Sequence, residues 1–253
     1  MRRQHKAAEC VSEGRWPPVR GLLLDKDGTL FDFAASWNAW TAGIITELAE
    51  GDPERVARIA KVLEFDMAAC CFYPESPVIA GTLAEIAQLL ATVIREPDAA
   101  TLETFLERRA ARAEMVPAVD LTHFCAEMAG RGIALGLVTN DGEGAARAHL
   151  ERAGVIGAFA FVAGYDSGHG AKPEAGPLLA GARALGLAPE EVVMVGDSLH
   201  DLAAGQAAGM RRLAVLTGPA PAQELAPHAE AVLRDIGEIA AWIDAQEGGE
   251  TPR

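Results

Sequence analysis

The chain has 253 residues, half of them hydrophobic, enough to bury the core of one large domain or two modest ones. Its 36 acidic residues against 22 lysines and arginines give a formal charge of −14, which repels nucleic-acid phosphates and anionic lipid surfaces, so neither is an expected partner. A small anionic ligand would then need a local source of attraction such as a metal ion, a lysine or a helix N-terminus, and no apolar run approaches the roughly 20 residues of a membrane helix.

Residues 1–18 read as a loose arm ending in Pro17-Pro18. Arg2, Arg3, Lys6 and Arg15 come without a continuous apolar stretch, so the arm is not expected to be a signal peptide and a cytoplasmic location is expected. The four cysteines, Cys10, Cys70, Cys71 and Cys125, form no C-x-x-C and are expected to be reduced, mostly buried thiols. The first strand is Gly21-Leu22-Leu23-Leu24, and directly after it comes Asp25-Lys26-Asp27-Gly28-Thr29-Leu30. Strand pleating predicts Asp25 and Asp27 on one side and Lys26 on the other. Two crowded carboxylates call for a bound cation or for one acid with a raised pKa, and Gly28-Thr29 predicts a turn with backbone N–H groups free to meet an anion.

Residues 36–115 contain no convincing strand and read as helices over 37–50, 53–69, 78–94 and 99–114, broken at Gly51-Asp52-Pro53, Tyr73-Pro74 and Pro97-Asp98. Inserted after the first strand, such a module would lie over the crevice where open α/β sheets bind ligands and could act as a lid. Its Trp37, Trp40, Arg55, Arg58 and Arg95 are possible substrate contacts, although Trp37 and Trp40, three apart on one helix face, are more simply explained by packing.

From residue 121 onward, short β-rich runs at 133–139, 159–163, 192–196 and 212–216 alternate with alanine-rich helical stretches at 121–131, 142–153, 174–187 and 201–208. That is the βαβ pattern of a parallel sheet covered by helices. Polar clusters follow these strands. Thr139-Asn140-Asp141-Gly142 offers a hydroxyl and an amide at a helix start, where a plain N-cap would also serve. Lys172 precedes Pro173, which is expected to open the next helix, in the loop Gly168-His169-Gly170-Ala171, and Gly196-Asp197-Ser198-Leu199-His200-Asp201 again places acids at a strand end. Each cluster taken alone has an ordinary structural explanation. Together they fall at the C-terminal ends of parallel strands, where doubly wound sheets bind ligands.

In the order and spacing of these four clusters the chain resembles the haloacid dehalogenase-like superfamily, in its phosphatase branch with a C1 cap. The D-x-D-G-T/V motif corresponds to Asp25, Asp27, Gly28 and Thr29, the second motif to Thr139, the third to Lys172, and G-D-x-x-x-D to Gly196, Asp197 and Asp201. The resemblance implies a Rossmann-like, doubly wound α/β core with a parallel five-stranded sheet at 19–35 and 114–245, an all-helical cap at 36–113, and flexible tails at 1–18 and 246–253. It implies that Asp25 is the nucleophile and Asp27 the general acid and base. Gly28, Thr29, Thr139, Asn140 and Lys172 would bind the phosphoryl group, and Mg²⁺ would be held by Asp25, the carbonyl of Asp27 and Asp197, with Asp201 supporting that set. Among capped phosphatases the arrangement most resembles phosphoglycolate phosphatases, acting on a small phosphorylated metabolite as a monomer or homodimer. A β-phosphoglucomutase-type mutase and a regulatory phosphate-binding protein of the same fold are the alternatives. Lys26 departs from the apolar residue more usual at its position and is expected to point away from the phosphate.

Overall fold

The computed structural model describes residues 16–79 and 81–247. The expectations for 1–15, including Cys10 and most of the N-terminal arm, and for 248–253 lie outside the described residues.

Strand β1 (Gly21–Leu24) is buried along its whole length. It leads into a helical unit formed by α1 (Phe33–Ala49), α2 (Pro53–Val62), α3 (Leu83–Val93) and α4 (Ala99–Ala110). Each of these helices starts at a polar cap. Asp32, Asp52 and Asp98 accept from backbone N–H groups of the first turn, and Thr82 forms a reciprocal capping box with Glu85. Ile44, Ile45, Ile59, Leu90, Leu102 and Leu106 close this unit around an apolar core of its own.

The unit is not entirely helical. The predicted second helix stops at Val62, because Glu64 takes a left-handed φ of 49° and starts a small antiparallel pair, β2 (Phe65–Asp66) with β3 (Cys71–Phe72). Two-residue strands carry no alternation, so residue pattern alone extends the helix through them.

The rest of the chain runs α5 (Leu121–Gly130), β4 (Ala134–Val138), α6 (Glu143–Arg152), β5 (Phe159–Ala163), α7 (Gly176–Leu185), β6 (Val192–Gly196), α8 (Leu199–Ala207), β7 (Arg211–Val215), a short α9 (Ala222–Leu225), β8 (Ala231–Leu233) and α10 (Ile239–Glu247). The sheet order is β5-β4-β1-β6-β7-β8, all parallel. The expected five strands are thus joined by a sixth. β8 is a half-buried edge strand of three residues, too short and too mixed to signal itself. The expected C-terminal tail begins inside α10, which continues through residues 246 and 247.

Pleating divides the core cleanly. Leu22, Leu24, Val193 and Val195 face the layer of α5, α6 and α10, while Leu23, Val192 and Met194 face α7 and α8. A sheet covered on both faces leaves its C-terminal edge as the accessible place for polar groups. Among the described residues no helix is long and apolar enough to cross a membrane.

Candidate active site

Asp25 stands one residue beyond β1, and its N–H still bonds the carbonyl of Val195, so its backbone is held as rigidly as the central strand. The chain then turns. Leu30 and Phe31 both donate to the Lys26 carbonyl, the Gly28 N–H bonds Phe31, and Gly28 takes φ +81°, which suits glycine. A Cβ on Gly28 would stand 2.4 Å from the Asp197 carboxylate, and one on Gly218 1.7 Å from it. Bare backbone is therefore what lets Asp197 enter the site. Thr29 is fully buried, with its hydroxyl 3.5 Å from Asp197 Oδ1.

Asp197 closes β6, and α8 begins with Ser198 as its cap. Ser198 and Asp201 form a capping box, in which Asp201 Oδ2 accepts from the Ser198 N–H and hydroxyl while Asp201 Oδ1 accepts from Lys172 Nζ at 2.6 Å. Asp201 thus serves the helix start and the site together. The Lys172 ammonium also donates to Asp25 Oδ1 at 2.5 Å. Lys172 does not sit at a helix N-terminus as expected. Its helix, α7, begins at Gly176, and Asn140 fixes the lysine instead: the Asn140 amide accepts from the Lys172 N–H and donates to its carbonyl, both at 2.9 Å. The Asn140 side chain is thus committed to placing Lys172. Thr139 is buried beside it and lines the same cavity, and His169 is exposed on the loop.

Carboxylate oxygens of Asp25, Asp197 and Asp201 lie within 4.8 Å of one another, all three residues buried. Burial pushes the Asp25 carboxyl up to about 7, with Lys172 opposing the rise and Asp201 and Asp27 adding to it. Burial, then Asp201 and Asp25, raise Asp197 well above the carboxylate range. Burial opposes the charge on Lys172, but Asp201 and Asp25 outweigh it and hold the ammonium above the usual lysine range. One lysine among three acids leaves uncompensated negative charge. An all-oxygen donor set with excess negative charge fits a hard divalent cation such as Mg²⁺, with the Asp25 and Asp197 carboxylates as its holders.

Asp25 and Asp27 line one cavity and Lys26 stays out of its lining, as alternation predicts, although β1 ends at Leu24 and a turn holds these residues. Lys26, with no exposed surface, folds under the turn and places Nζ 2.9 Å from Asp27 Oδ2 and 2.7 Å from Asp141 Oδ2. The ammonium also lies over the Trp37 ring, 5.2 Å from its centroid. Trp37 in turn donates Nε1–H to Asp27 Oδ1 at 2.8 Å, so it is a site residue as well as the packing partner of Trp40. Asp27 therefore has both carboxylate oxygens engaged, and its carboxyl is still raised, by burial first, against the pull of Lys26.

Behind Lys26 stands His149, whose Nδ1 is 3.1 Å from Nζ. An ammonium only donates, so Nδ1 accepts and Nε2–H donates to the Ala110 carbonyl at 2.9 Å, across from α6 to the end of α4. Burial, then Lys26, lowers the imidazole to about 4, keeping it neutral. Sequence reasoning missed Trp37, Asp141 and His149 as members of this network. The signal available was Lys26 itself, a charge inside a buried turn that had to find partners.

The acids and Lys172 form the floor of a cavity roofed by Phe33, Trp37, Ile44, Ile79, Leu90 and Leu106 from the helical unit. Arg55 and Arg58, named as possible contacts, instead pair with Glu50, Asp52 and Glu54 on the surface, and Arg95 is exposed outside the cavity.

A parallel sheet in this order, with an acid at the end of its central strand, a lysine against that acid, a carboxylate trio and a helical roof, defines a capped α/β hydrolase of the haloacid dehalogenase-like class. The family model for haloacid dehalogenase-like hydrolases matches residues 19–209, and the chain belongs to that family. A phosphoglycolate phosphatase of Rhodospirillum rubrum is 36% identical over 124 residues, a match covering 49% of this chain and about half (52%) of that protein. A phosphoglycolate phosphatase of Xylella fastidiosa is 31% identical over 207 residues, covering 79% of this chain and 81% of the relative. The solved structure of a haloacid dehalogenase-like hydrolase from Bacteroides fragilis superimposes with TM-score 0.67 over 87% of this chain and 99% of its own, at 21% identity, a likeness of fold.

Proposed function

We propose that the chain is a Mg²⁺-dependent phosphomonoester hydrolase working through an aspartyl-phosphate on Asp25. The observation that carries this reading is Asp25 itself, buried at the end of the central strand and bonded to Lys172, with Asp27 opening into the same cavity. Asp25 attacks phosphorus as the ester P–O bond breaks, and Asp27 gives its proton to the departing alkoxide. Asp27 then takes a proton from the water that cleaves the Asp25–phosphoryl bond, releasing phosphate and restoring both acids. Lys172 and the Thr139 hydroxyl stabilise charge on the phosphoryl oxygens, whereas Gly28 and Thr29, expected to bind them, lie outside the cavity lining and the Gly28 N–H is already given to the Phe31 carbonyl. A divalent cation, which Asp25 and Asp197 with the Asp27 carbonyl would hold, would supply charge neutralisation for a phosphate dianion entering a site lined by five carboxylates.

The two relatives' names make phosphoglycolate the reference substrate. The test is phosphate release from a panel of small monoesters that includes it, with and without Mg²⁺, for the parent chain and Asp25→Asn. Metal-dependent release that falls by about 10³-fold or more in Asp25→Asn is expected. Undiminished release from the variant would remove Asp25 from the mechanism.

The bond from Trp37 gives a second expectation. Trp37→Phe keeps the apolar roof and removes the donor to Asp27, so proton delivery suffers while binding does not. Turnover of an alkyl phosphate should fall by about 10-fold, while p-nitrophenyl phosphate, whose leaving group departs without a proton, should change by less than about 3-fold. Equal losses on both substrates would make Trp37 a packing residue alone.

A further inference from the structure

Above the acids, the cavity runs between α1, α3 and α4 into the apolar core of the cap, as far as Leu90 and Leu106. The charged side chains that line it, Asp25, Asp27, Asp141, Lys172, Asp197 and Asp201, together with Asn140, Ser198 and His200, all come from the sheet side. Among the described residues the cap contributes no charged side chain to the lining; its polar groups there are the hydroxyl of Thr41 and the indole N–H groups of Trp37 and Trp40, which already donate to Asp27 and to the Arg109 carbonyl. Thr41 is 2% exposed, and its Oγ1 is a buried polar atom with no hydrogen-bond partner. A buried hydroxyl without a partner is costly, and the residue that carries it lines the cavity.

We infer that the leaving group of the substrate is apolar, an alkyl or aryl alcohol carrying at most one hydrogen-bonding group, which meets Thr41. This rests on the phosphomonoesterase reading and deepens it. The charge of the substrate is met at the floor by Lys172 and the bound cation. A second anion two carbons from phosphorus, or the ring of hydroxyls on a sugar, would enter a roof of Phe33, Ile44, Ile79 and Ile86 with one hydroxyl to satisfy it. Burying such groups unpaired disfavours those substrates, while each buried methylene favours an alkyl ester.

Two measurements test this. Calorimetry with Mg²⁺ present compares n-hexylphosphonate with phosphonoacetate, which bind without being turned over. The hexyl compound is expected to bind at least about 10-fold more tightly, and equal or reversed affinities overturn the inference. Phosphate release then ranks n-hexyl phosphate and phenyl phosphate against phosphoglycolate and glucose 6-phosphate by kcat/KM, with the first pair expected at least about 10-fold higher. Release led by phosphoglycolate or the sugar phosphate overturns the inference and leaves the phosphatase reading intact. No release from any ester, with hexylphosphonate still bound preferentially, overturns the phosphatase reading and supports the apolar site. In Thr41→Val the kcat/KM ratio of 6-hydroxyhexyl phosphate to hexyl phosphate should fall by about 5-fold, and an unmoved ratio overturns the contact given to Thr41.

Discussion

Replacing Lys26 by Met is expected to lower stability by about 3–5 kcal/mol at pH 7 in equilibrium denaturation, among the largest losses available to a single change in this chain. The Lys26 ammonium has no exposed surface and lies within 3 Å of both Asp27 and Asp141. Met preserves most of the aliphatic stem, so the loss reports charge rather than packing. Without the ammonium, two carboxylates face each other in a buried turn, and the variant must protonate one of them or unfold. The sign follows from linkage. Lys26 is the largest influence lowering Asp27, so removing it raises the folded-state pKa further above the usual 3.8. A raised carboxyl binds its proton more tightly folded than unfolded, so the variant is least impaired at low pH and loses ground as pH climbs from about 4 through that raised value. The gap to the parent should widen between pH 5 and pH 7.5, and Asp141→Leu added to Lys26→Met should close part of it. A loss below about 1 kcal/mol that does not vary with pH would mean that the ammonium has no structural task.

That lysine also marks where the sequence was readable and where it was not. The central strands and the polar clusters after them were legible because buried parallel strands are short apolar runs, and the residues at their C-terminal ends have one accessible place to go. Asp25 lies 147 residues before Lys172, and Lys172 lies 29 residues before Asp201, yet the site acids and the lysine converge for that reason. Alternation kept Lys26 out of the cavity that Asp25 and Asp27 share but could not name its partners, because β1 ends at Leu24 and a turn held by the Lys26 carbonyl takes over. Trp37 looked like packing because spacing reports which helix face a residue occupies, not what its indole N–H reaches across a domain boundary. His149 gave no signal, since a single histidine in a polar helix becomes informative only when the lysine beneath it is placed. The edge strand β8 and the pair β2 and β3 were missed because two or three residues cannot display a period. The roof chemistry was the least legible feature. The cap arginines stood out in the sequence, but folding turned Arg55 and Arg58 to surface acids and lined the cavity with the cap's own core.

Lys172→Met should abolish turnover, with kcat falling by about 10³-fold or more while the fold survives in the presence of Mg²⁺. The ammonium bridges Asp25 Oδ1 at 2.5 Å and Asp201 Oδ1 at 2.6 Å, and it is the influence that most lowers an Asp25 carboxyl already raised to about 7 by burial. Removing it takes away the charge that most favours the Asp25 carboxylate and a donor to the phosphoryl oxygens, so attack and charge stabilisation both suffer. The stability cost should be about 3–5 kcal/mol in chelator and smaller in excess Mg²⁺, because a cation that binds the folded acids and not the unfolded chain restores part of the missing charge. Lys172→Arg should not rescue turnover, since a planar guanidinium cannot enter a slot built for a compact ammonium between two buried carboxylates. The double variant Asp25→Asn with Lys172→Met separates the two roles. Neutralising the acid along with the base should return much of the stability and none of the activity. If single Lys172→Met instead kept kcat within about 10-fold of the parent, the lysine would be structural, and stabilisation of the phosphoryl group would fall to the cation and the Thr139 hydroxyl.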